Sequence, residues 1–337
     1  MSAAESMAIR VEDSSHVAAA RSAVQKMARD LGYDETREGR AAIIASEAVS
    51  NIVKHASRGT FIASPLARPG AIGIEMLAID GGPGMENFRA SSRDGVSTAG
   101  TRGTGLGAIQ RLASAFDVYT MRGHGTILRM VLWTRDDVPD ADYDIGAVLV
   151  PKAGEEVCGD AWAVELQERG ATFVVADGLG HGPDASRAST SAVDVLRRHP
   201  SDSAIRILDL AHAKLRATRG AAVAVIRHDR ARGEVTFAGI GNIAAFLVEG
   251  GRRRAMVSHN GIVGHNASRA LEFRYPWSRH AMLVAHSDGL QSQWDLEAHP
   301  GLGACHPSII AAALYRDYSR GRDDVAVVVA RDARGAA

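Results

Sequence analysis

The sequence has few cysteines, few aromatic residues and no excess of charge of either sign. Only Cys158 and Cys305 occur in 337 residues, and their separation matches neither a disulfide framework nor a zinc site. Aromatic residues make up 5% of the chain, and Lys plus Arg equals Asp plus Glu at 39 each. A base-stacking surface or a basic field that attracts nucleic acid or anionic lipid is therefore not expected.

Long apolar runs are also missing. No segment approaches the roughly 20 apolar residues that a membrane-spanning helix needs, and the first residues lack the basic-then-apolar pattern of a signal peptide. The sequence therefore predicts a cytoplasmic protein that has no membrane or nucleic-acid partner. The chain is longer than one hydrophobic core usually organises, so two domains are expected.

The spacing of apolar residues changes about 140 residues into the chain. Before that point it predicts helices over 16–31 and 35–56 and strands over 71–79, 116–121 and 126–132. Ile43 and Ile44 are both expected in the buried stripe of the second helix. The polar, acidic segment 134–144 is predicted to be a linker. Beyond it, eight short β-branched runs and three helical segments predict a second domain, so the fold class is α+β with domains at 1–133 and 145–332.

Two features of the first domain can be connected with nucleotide chemistry. Glu47 and Asn51 are four residues apart on the second helix, so they project from one face and could serve as a general base and a metal ligand. Asp80 ends an apolar strand and is followed by Gly81, Gly82, Pro83 and Gly84. A carboxylate there can accept a hydrogen bond from an exocyclic amine such as that of adenine. Each feature alone also fits a solvated helix face or an acidic turn.

A third feature is a glycine cluster ahead of a helix-like run over 108–116. Gly103, Gly105 and Gly107 permit close approach of the backbone, and a helix N-terminus that follows such glycines can bind an anion. A dinucleotide-binding reading is possible but fits poorly, because the cluster does not open a βαβ unit with an acidic residue about 20 positions later. The Gly-Lys-Ser/Thr ending of a P-loop is absent.

Taken in this order, SEAVSNIVKHA, DGGPG and GTGLG resemble the N, G1 and G2 boxes of the GHKL ATPases. The segment 94–120 is most similar to the anti-sigma-factor serine/threonine kinases, including the switch kinases of stressosomes. The resemblance covers residues 8–133 and implies a Bergerat-type α/β sandwich that binds ATP and Mg²⁺. It assigns Asn51 to Mg²⁺, Glu47 to activation of the acceptor hydroxyl and Asp80 to adenine. The lid and phosphate cradle would be shaped by five glycines: Gly82, Gly84, Gly103, Gly105 and Gly107.

Four aspartates of the second domain each lie beside an apolar strand: Asp160, Asp177, Asp288 and Asp323. Carboxylates that converge repel one another unless cations separate them. An all-oxygen ligand set suits Mg²⁺ or Mn²⁺ rather than zinc. Two such ions could activate a water for in-line attack on a phosphoester. Any one of these aspartates alone would be interpreted as an ordinary turn residue.

Their joint placement resembles the metal-dependent (PPM-type) serine/threonine phosphatases of the SpoIIE group over residues 142–332. The motifs CGDAW, VADGLGHG, GIGNIAAFLV, HSDGL and RDDVAVVV occur in the order seen in stressosome feedback phosphatases. The resemblance implies a β-sandwich flanked by helices. It implies that Asp177 bridges two Mn²⁺ or Mg²⁺ ions and that Gly178 adds its carbonyl. Asp288 and Asp323 would complete one shell.

Four positions in this domain are assigned less sharply. The resemblance implies that Asp160 holds a metal-bound water or a further ion, but no second acidic residue follows it closely, which leaves a third metal site open. Asp324 is placed behind the ligands rather than among them. His181 could act as an acid near the leaving group or cap a turn, and the structural role is favoured. Asn242 is expected in a tight turn without a chemical role.

Together the two resemblances predict a bifunctional regulator. The first domain would phosphorylate, and the second dephosphorylate, Ser or Thr of a STAS-domain antagonist protein in a stressosome or sigma-regulatory complex. Two alternatives stay open: a phosphatase whose ATP-binding domain only binds a partner, and a scaffold that has neither activity. Glu47 argues against the first alternative because a pure binding module needs no base, and the intact aspartate set argues against the second.

Overall fold

The structure is a computed structural model that describes residues 6–85, 105–266 and 270–333. The chain divides into two compact units. Among the described residues, one unit contains 6–141 and 304–316, and the other contains 142–303 and 317–333. Gly103, one of the predicted phosphate-cradle glycines, lies outside the described residues. The two-domain α+β class predicted from the sequence is confirmed.

The first unit is a five-stranded antiparallel sheet with helices packed on one face. The strand order is β1-β2-β3-β5-β4. Apolar residues of α1 and α2 meet apolar residues of β1, β2, β3 and β5 in one core. The bounds are β1 Met7–Val11, α1 Ser15–Asp30, α2 Glu35–His55, β2 Gly59–Arg68, β3 Ala71–Asp80, α3 Gly105–Leu112, β4 Ala115–Met121 and β5 Gly125–Trp133.

Helix α2 positions the first site, and local chemistry explains where it begins. The side chain of Asp34 accepts a hydrogen bond from the backbone N–H of Arg37, which satisfies one of the free donors of the first turn. Ile44 is fully buried, whereas Ile43 is 48% exposed. The prediction that both isoleucines are buried was therefore wrong for Ile43, because adjacent helical positions point about 100° apart and only one of them faces the sheet.

Two further sequence predictions differ from the structure in this unit. The helix expected over 108–116 is α3 at Gly105–Leu112, and strand β4 already begins at Ala115. Strands β1 and β2 were not predicted. Strand β2 contains Pro65, which removes a backbone donor and weakens the strand signal.

The second unit is a sandwich of two five-stranded sheets. Their orders are β13-β10-β9-β8-β7 and β12-β11-β14-β15-β6, and their facing apolar side chains form one core. Helices α4 and α5 cover the outer face of the first sheet. The bounds are β6 Tyr143–Val150, β7 Asp160–Gln167, β8 Gly170–Gly178, α4 Pro183–Arg198, α5 Ala204–Leu215, β9 Ala221–Asp229, β10 Glu234–Ile240, β11 Ala244–Glu249, β12 Arg252–Ala255, β13 Phe273–Pro276, β14 Met282–His286 and β15 Val325–Asp332.

Helix α6 (Pro307–Tyr318) precedes β15, and its residues up to 316 group with the first unit. Within that unit Ser308 Oγ donates a hydrogen bond of 2.8 Å to Glu75 Oε1. The same carboxylate oxygen accepts a 2.6 Å bond from Arg129 Nε. Among the described helices, none is both long and apolar enough to span a membrane.

Candidate functional site

The first candidate site lies where α2 faces the start of α3. A Cβ atom on Gly105 would lie 2.8 Å from Glu47 Oε2 and 3.4 Å from Asn51 Oδ1. A side chain at position 105 would therefore require Glu47 to move. Asn51 Nδ2 is buried and has no hydrogen-bond partner among the described residues. The structure thus brings together Glu47, Asn51 and Gly105, whose convergence the sequence predicted.

Asp80 forms a second part of this site at the end of β3. Its Oδ1 accepts backbone N–H bonds from Gly82 at 2.8 Å and from Thr126 at 3.1 Å. Burial raises the pKa of Asp80, and the two amide bonds oppose that rise. Because Oδ1 is occupied by both amides, Oδ2 is the oxygen left to accept a donor from a ligand.

The predicted glycines fill different structural roles around this site. A Cβ on Gly82 would lie 2.9 Å from the Cβ of Ala56 at the end of α2. Gly84 has a φ of +69°, a conformation that other residues rarely adopt. Gly107 is buried within α3. Gly82 and Gly84 thus shape the turn after Asp80, and Gly105 lets the start of α3 approach Glu47 and Asn51 on α2.

The second candidate site is a cluster of aspartates at one end of the sandwich. Asp160 on β7 lies directly opposite Asp177 on β8. Burial, followed by the neighbouring charge of Asp177, raises the pKa of Asp160 well above its usual value. Burial and the charges of Asp288 and Asp323 raise the pKa of Asp177 to about 7. The four predicted aspartates therefore act on one another electrostatically, as the sequence predicted.

Asp323 and Asp324 are adjacent but face different surroundings. Asp323 is exposed and its Oδ1 accepts the backbone N–H of Asp324 at 3.0 Å. Asp324 is 3% exposed, and its Oδ1 accepts the N–H of Lys152 at 2.9 Å. Among the described residues, Asp324 Oδ2 and Asp160 Oδ2 are buried without a hydrogen-bond partner. Buried carboxylate oxygens that have no hydrogen-bond partner and lie beside further carboxylates are suitable ligands for a hard divalent cation.

The carboxylates do not form a closed cage. In the described part of the chain, no three Asp, Glu, His or Cys side chains converge as ligands of one ion. Sites for Mg²⁺ in proteins commonly use one or two carboxylates and complete the shell with water and substrate oxygens. The donor set therefore fits a metal whose remaining ligands are a carbonyl and water. The ligand assignments themselves stay predictions.

Two polar contacts at this site were missed in the sequence analysis. Asn242 Nδ2 donates a 2.7 Å hydrogen bond to Asp288 Oδ2, so Asn242 holds a predicted ligand in addition to forming a turn. Glu155 Oε1 lies 2.6 Å from Nδ1 of His181. The partners are 46 and 26 residues apart in the chain. No local sequence signal pairs them.

Comparisons with known proteins agree with this two-part architecture. The family model described as a histidine kinase-like ATPase domain matches residues 11–132, and the stage II sporulation protein E (SpoIIE) model matches residues 167–332. A curated relative is the serine/threonine-protein kinase RsbT of Bacillus subtilis (strain 168). It is 31% identical over 127 residues, which cover 38% of this chain and 96% of RsbT.

Solved structures are similar as well. One similar structure comes from work on the bacterial stressosome, described as a modular system that has been adapted to control secondary messenger signaling. Its sequence is 31% identical to this chain, and the TM-score is 0.54. The match covers 57% of this chain and 100% of that one. A crystal structure of RsbX in complex with magnesium is 19% identical with a TM-score of 0.50, and covers 57% of this chain and 96% of RsbX. The RsbX likeness shows the fold alone.

Proposed function

Because the chain belongs to the RsbT family of histidine kinase-like ATPase domains and carries a SpoIIE-family domain after it, we propose that it is a bifunctional regulator. Its first domain transfers phosphate from ATP to a protein serine or threonine, and its second domain removes phosphate from such a residue. The observation that carries the kinase half is the position of Glu47, a carboxylate beside Asn51 at the glycine start of α3. The phosphatase half depends on the closeness of the aspartates, since burial and the charges of Asp288 and Asp323 raise the pKa of Asp177 to about 7.

In the kinase half, catalysis consists of positioning and charge neutralisation. Asp80 would accept a hydrogen bond from the adenine amine, Asn51 would hold Mg²⁺ through its carboxamide oxygen, and Glu47 would orient the acceptor hydroxyl towards the γ-phosphate. The glycines at 82, 84, 103, 105 and 107 form the lid and phosphate cradle. A domain that only binds a partner would not need the carboxylate of Glu47.

In the phosphatase half, Asp177, the Gly178 carbonyl, Asp288 and Asp323 would hold two Mn²⁺ or Mg²⁺ ions. Asp160 would hold a further ion or orient the attacking water. When bound, the ions supply Lewis acidity and an activated water for attack on the phosphoester. The chain contributes the orientation of these carboxylates, including the hydrogen bond from Asn242 that fixes Asp288.

The substrate we propose is a STAS-domain antagonist protein of a partner-switching or stressosome system. The named relative RsbT is a serine/threonine-protein kinase, and one similar structure comes from the bacterial stressosome. Phosphorylation and dephosphorylation of one serine or threonine would make the chain a reversible switch that acts in the cytoplasm. Two activities running together would only hydrolyse ATP, so one site must be favoured at a time.

The kinase proposal is tested with Glu47→Gln. Incorporation of γ-labelled phosphate from ATP into the STAS protein should be lost, while the affinity for ATP and for the partner stays close to that of the wild type. Unchanged incorporation would reject Glu47 as the base. Partner binding without any incorporation in the wild type would instead favour the alternative, an ATP-binding domain that only recruits the substrate.

The phosphatase proposal is tested with a chromogenic phosphoester and Mn²⁺. The wild type should hydrolyse it, and Asp177→Asn should remove all activity because one metal-bridging carboxylate is gone. Asp184→Asn is a matched control, since Asp184 is a half-buried aspartate on α4 that pairs with Arg187 and Arg219. Equal activity in Asp177→Asn and the wild type would reject the site.

A further inference from the structure

A groove of about 500 Å³ in the second unit lies next to the loop that carries Asp288. It is formed where the segment after β14 pairs with the segment before β15. The backbone N–H of Arg320 donates a hydrogen bond of 2.8 Å to the carbonyl of Gly289. The backbone N–H of Gln291 donates a hydrogen bond of 2.9 Å to the carbonyl of Tyr318. These bonds fix the groove to the loop that carries Asp288. The lining residues are Gln291, Ser292, Gln293, Ser319, Arg320 and Arg322.

The groove is positively charged and rich in hydrogen-bond donors. Its lining contains two arginines and no carboxylate, and both arginines are exposed. Within the described part of the chain neither guanidinium forms an ion pair. By contrast, exposed Arg187 and Arg219 on the same unit both pair with Asp184. The two groove arginines are therefore available to an external anion.

A third arginine contacts the segment that lines the groove. The guanidinium of Arg253 lies 4.5 Å from the ring centre of Trp294, and its Nη1 approaches the carbonyl of Ser292 at 3.5 Å. Stacking on the buried Trp294 holds this charge in a fixed place. The positive charge of Arg320 also reaches Asp288, whose pKa it lowers against the larger effects of burial and Asp323. The groove and the aspartate cluster are thus close enough to influence each other electrostatically.

The size and chemistry of the groove indicate which kind of ligand it binds. A volume of 500 Å³ lies within the range of ligand pockets and exceeds what one phosphate group fills. Arginine presents a rigid fork of donors that matches carboxylate oxygens, and glutamine and serine side chains add neutral donors. We propose that this groove is the substrate-recognition subsite of the second domain, and that it binds acidic side chains flanking the phosphorylated serine or threonine. The inference rests on the proposed phosphatase function.

The test compares phosphopeptides that differ only in flanking charge. Peptides with one phosphoserine carry aspartate, asparagine or lysine at the flanking positions, and kcat/KM is measured with Mn²⁺. The wild type should prefer the aspartate peptide to the lysine peptide by roughly tenfold, as expected for a charge-assisted contact. Because the ratio compares two substrates on one enzyme, any change in metal binding cancels.

Variants assign that preference to the groove. The aspartate-to-lysine ratio should fall close to one both in the double variant Arg320→Gln, Arg322→Gln and in Arg322→Glu, since each change removes two units of positive charge from the groove. Arg206→Gln, at an exposed position on α5, should keep the wild-type ratio. A wild type without charge preference, or a double variant that keeps it, would overturn the inference.

The two proposals fail in different ways. If the wild type hydrolyses neither the phosphopeptides nor a chromogenic phosphoester with Mn²⁺, the phosphatase function is rejected, and the subsite with it. If it hydrolyses all peptides at similar rates, the phosphatase function stands and only the recognition subsite is rejected.

Discussion

Asp160 on β7 and Asp177 on β8 face each other directly across an antiparallel strand pair in the second unit. Side chains in such pairs lie about 5 Å apart, and like charges placed opposite each other are destabilising. Burial adds a further cost to the charged form of each. The sheet thus carries a local electrostatic strain that a bound cation would relieve.

Removing one of these charges should stabilise the metal-free protein. At pH 7.5, where Asp177 is largely ionised, we expect Asp177→Asn to raise the free energy of unfolding in EDTA by about 1 kcal/mol, which corresponds to a rise of roughly 2–4 °C in the Tm of a domain of this size. Saturating Mn²⁺ should stabilise the wild type and leave the variant almost unchanged. Differential scanning calorimetry measures both. A lower Tm for the variant than for the wild type in EDTA would show that the facing aspartates do not destabilise the metal-free protein.

The same crowding predicts a pH dependence of the metal-free protein. The pKa of Asp177 rises from 3.8 to about 7 on folding, so the folded state holds its proton more tightly than the unfolded state. Its contribution to the free energy of unfolding should therefore be largest below about pH 4 and be lost as the pH rises to about 7. Asp160 and Asp288 have raised pKa values and act in the same direction.

Two buried histidines act in the opposite direction and must be separated from this effect. Burial lowers the pKa of His228 and of His286 to about 4, so their contributions are lost as the pH falls from about 6.5 to 4. The difference in Tm between the wild type and Asp177→Asn, measured in EDTA from pH 4.5 to 7.5, cancels both. That difference should grow with pH. A constant difference would show that Asp177 does not titrate in this range.

The contact between Glu155 and His181 allows a test of the two roles considered for His181, an acid near the leaving group and a structural cap. The contact between Glu155 Oε1 and His181 Nδ1 is 2.6 Å, and a Cβ on the next residue, Gly182, would lie 2.7 Å from Glu155 Oε2. Glu155→Gln should lower kcat for the chromogenic phosphoester several-fold and leave KM nearly unchanged, because the ring is oriented less firmly. Glu156→Gln, at the exposed neighbouring position, is the control. Equal losses in both variants would assign the effect to the loop as a whole.

Residues with strong periodicity or strand-end placement could be recognised from the sequence. The long apolar stripes of α1 and α2 and the β-branched runs of the sandwich correspond to helices and strands in the structure. The identification of an RsbT-like kinase domain and a SpoIIE-type phosphatase domain is confirmed by the family matches and by the curated relative. The roles of single site residues and the domain boundaries stay predictions.

Short edge strands and distant polar pairs could not be recognised. Strand β12 is the fully exposed run Arg252–Ala255, and its pairing with β11 supplies the backbone bonds that its composition does not predict. The contact of Asn242 with Asp288 depends on two turns that the sandwich brings together. Only tertiary structure determines such contacts, because neither partner differs in type from an ordinary turn residue.

Gly105 and Gly39 offer a matched pair that tests the nucleotide site. A Cβ on Gly105 would press against Glu47 Oε2, whereas a Cβ on Gly39, in α2, meets nothing within 4 Å. Gly39→Ala should stabilise the first unit by about 1 kcal/mol, since alanine is the better helix former, and leave ATP affinity unchanged. Gly105→Ala should displace Glu47 and the start of α3, and weaken binding of a fluorescent ATP analogue at least tenfold. Similar ATP affinities of the two variants would show that the close approach of α3 to α2 does not shape the nucleotide site.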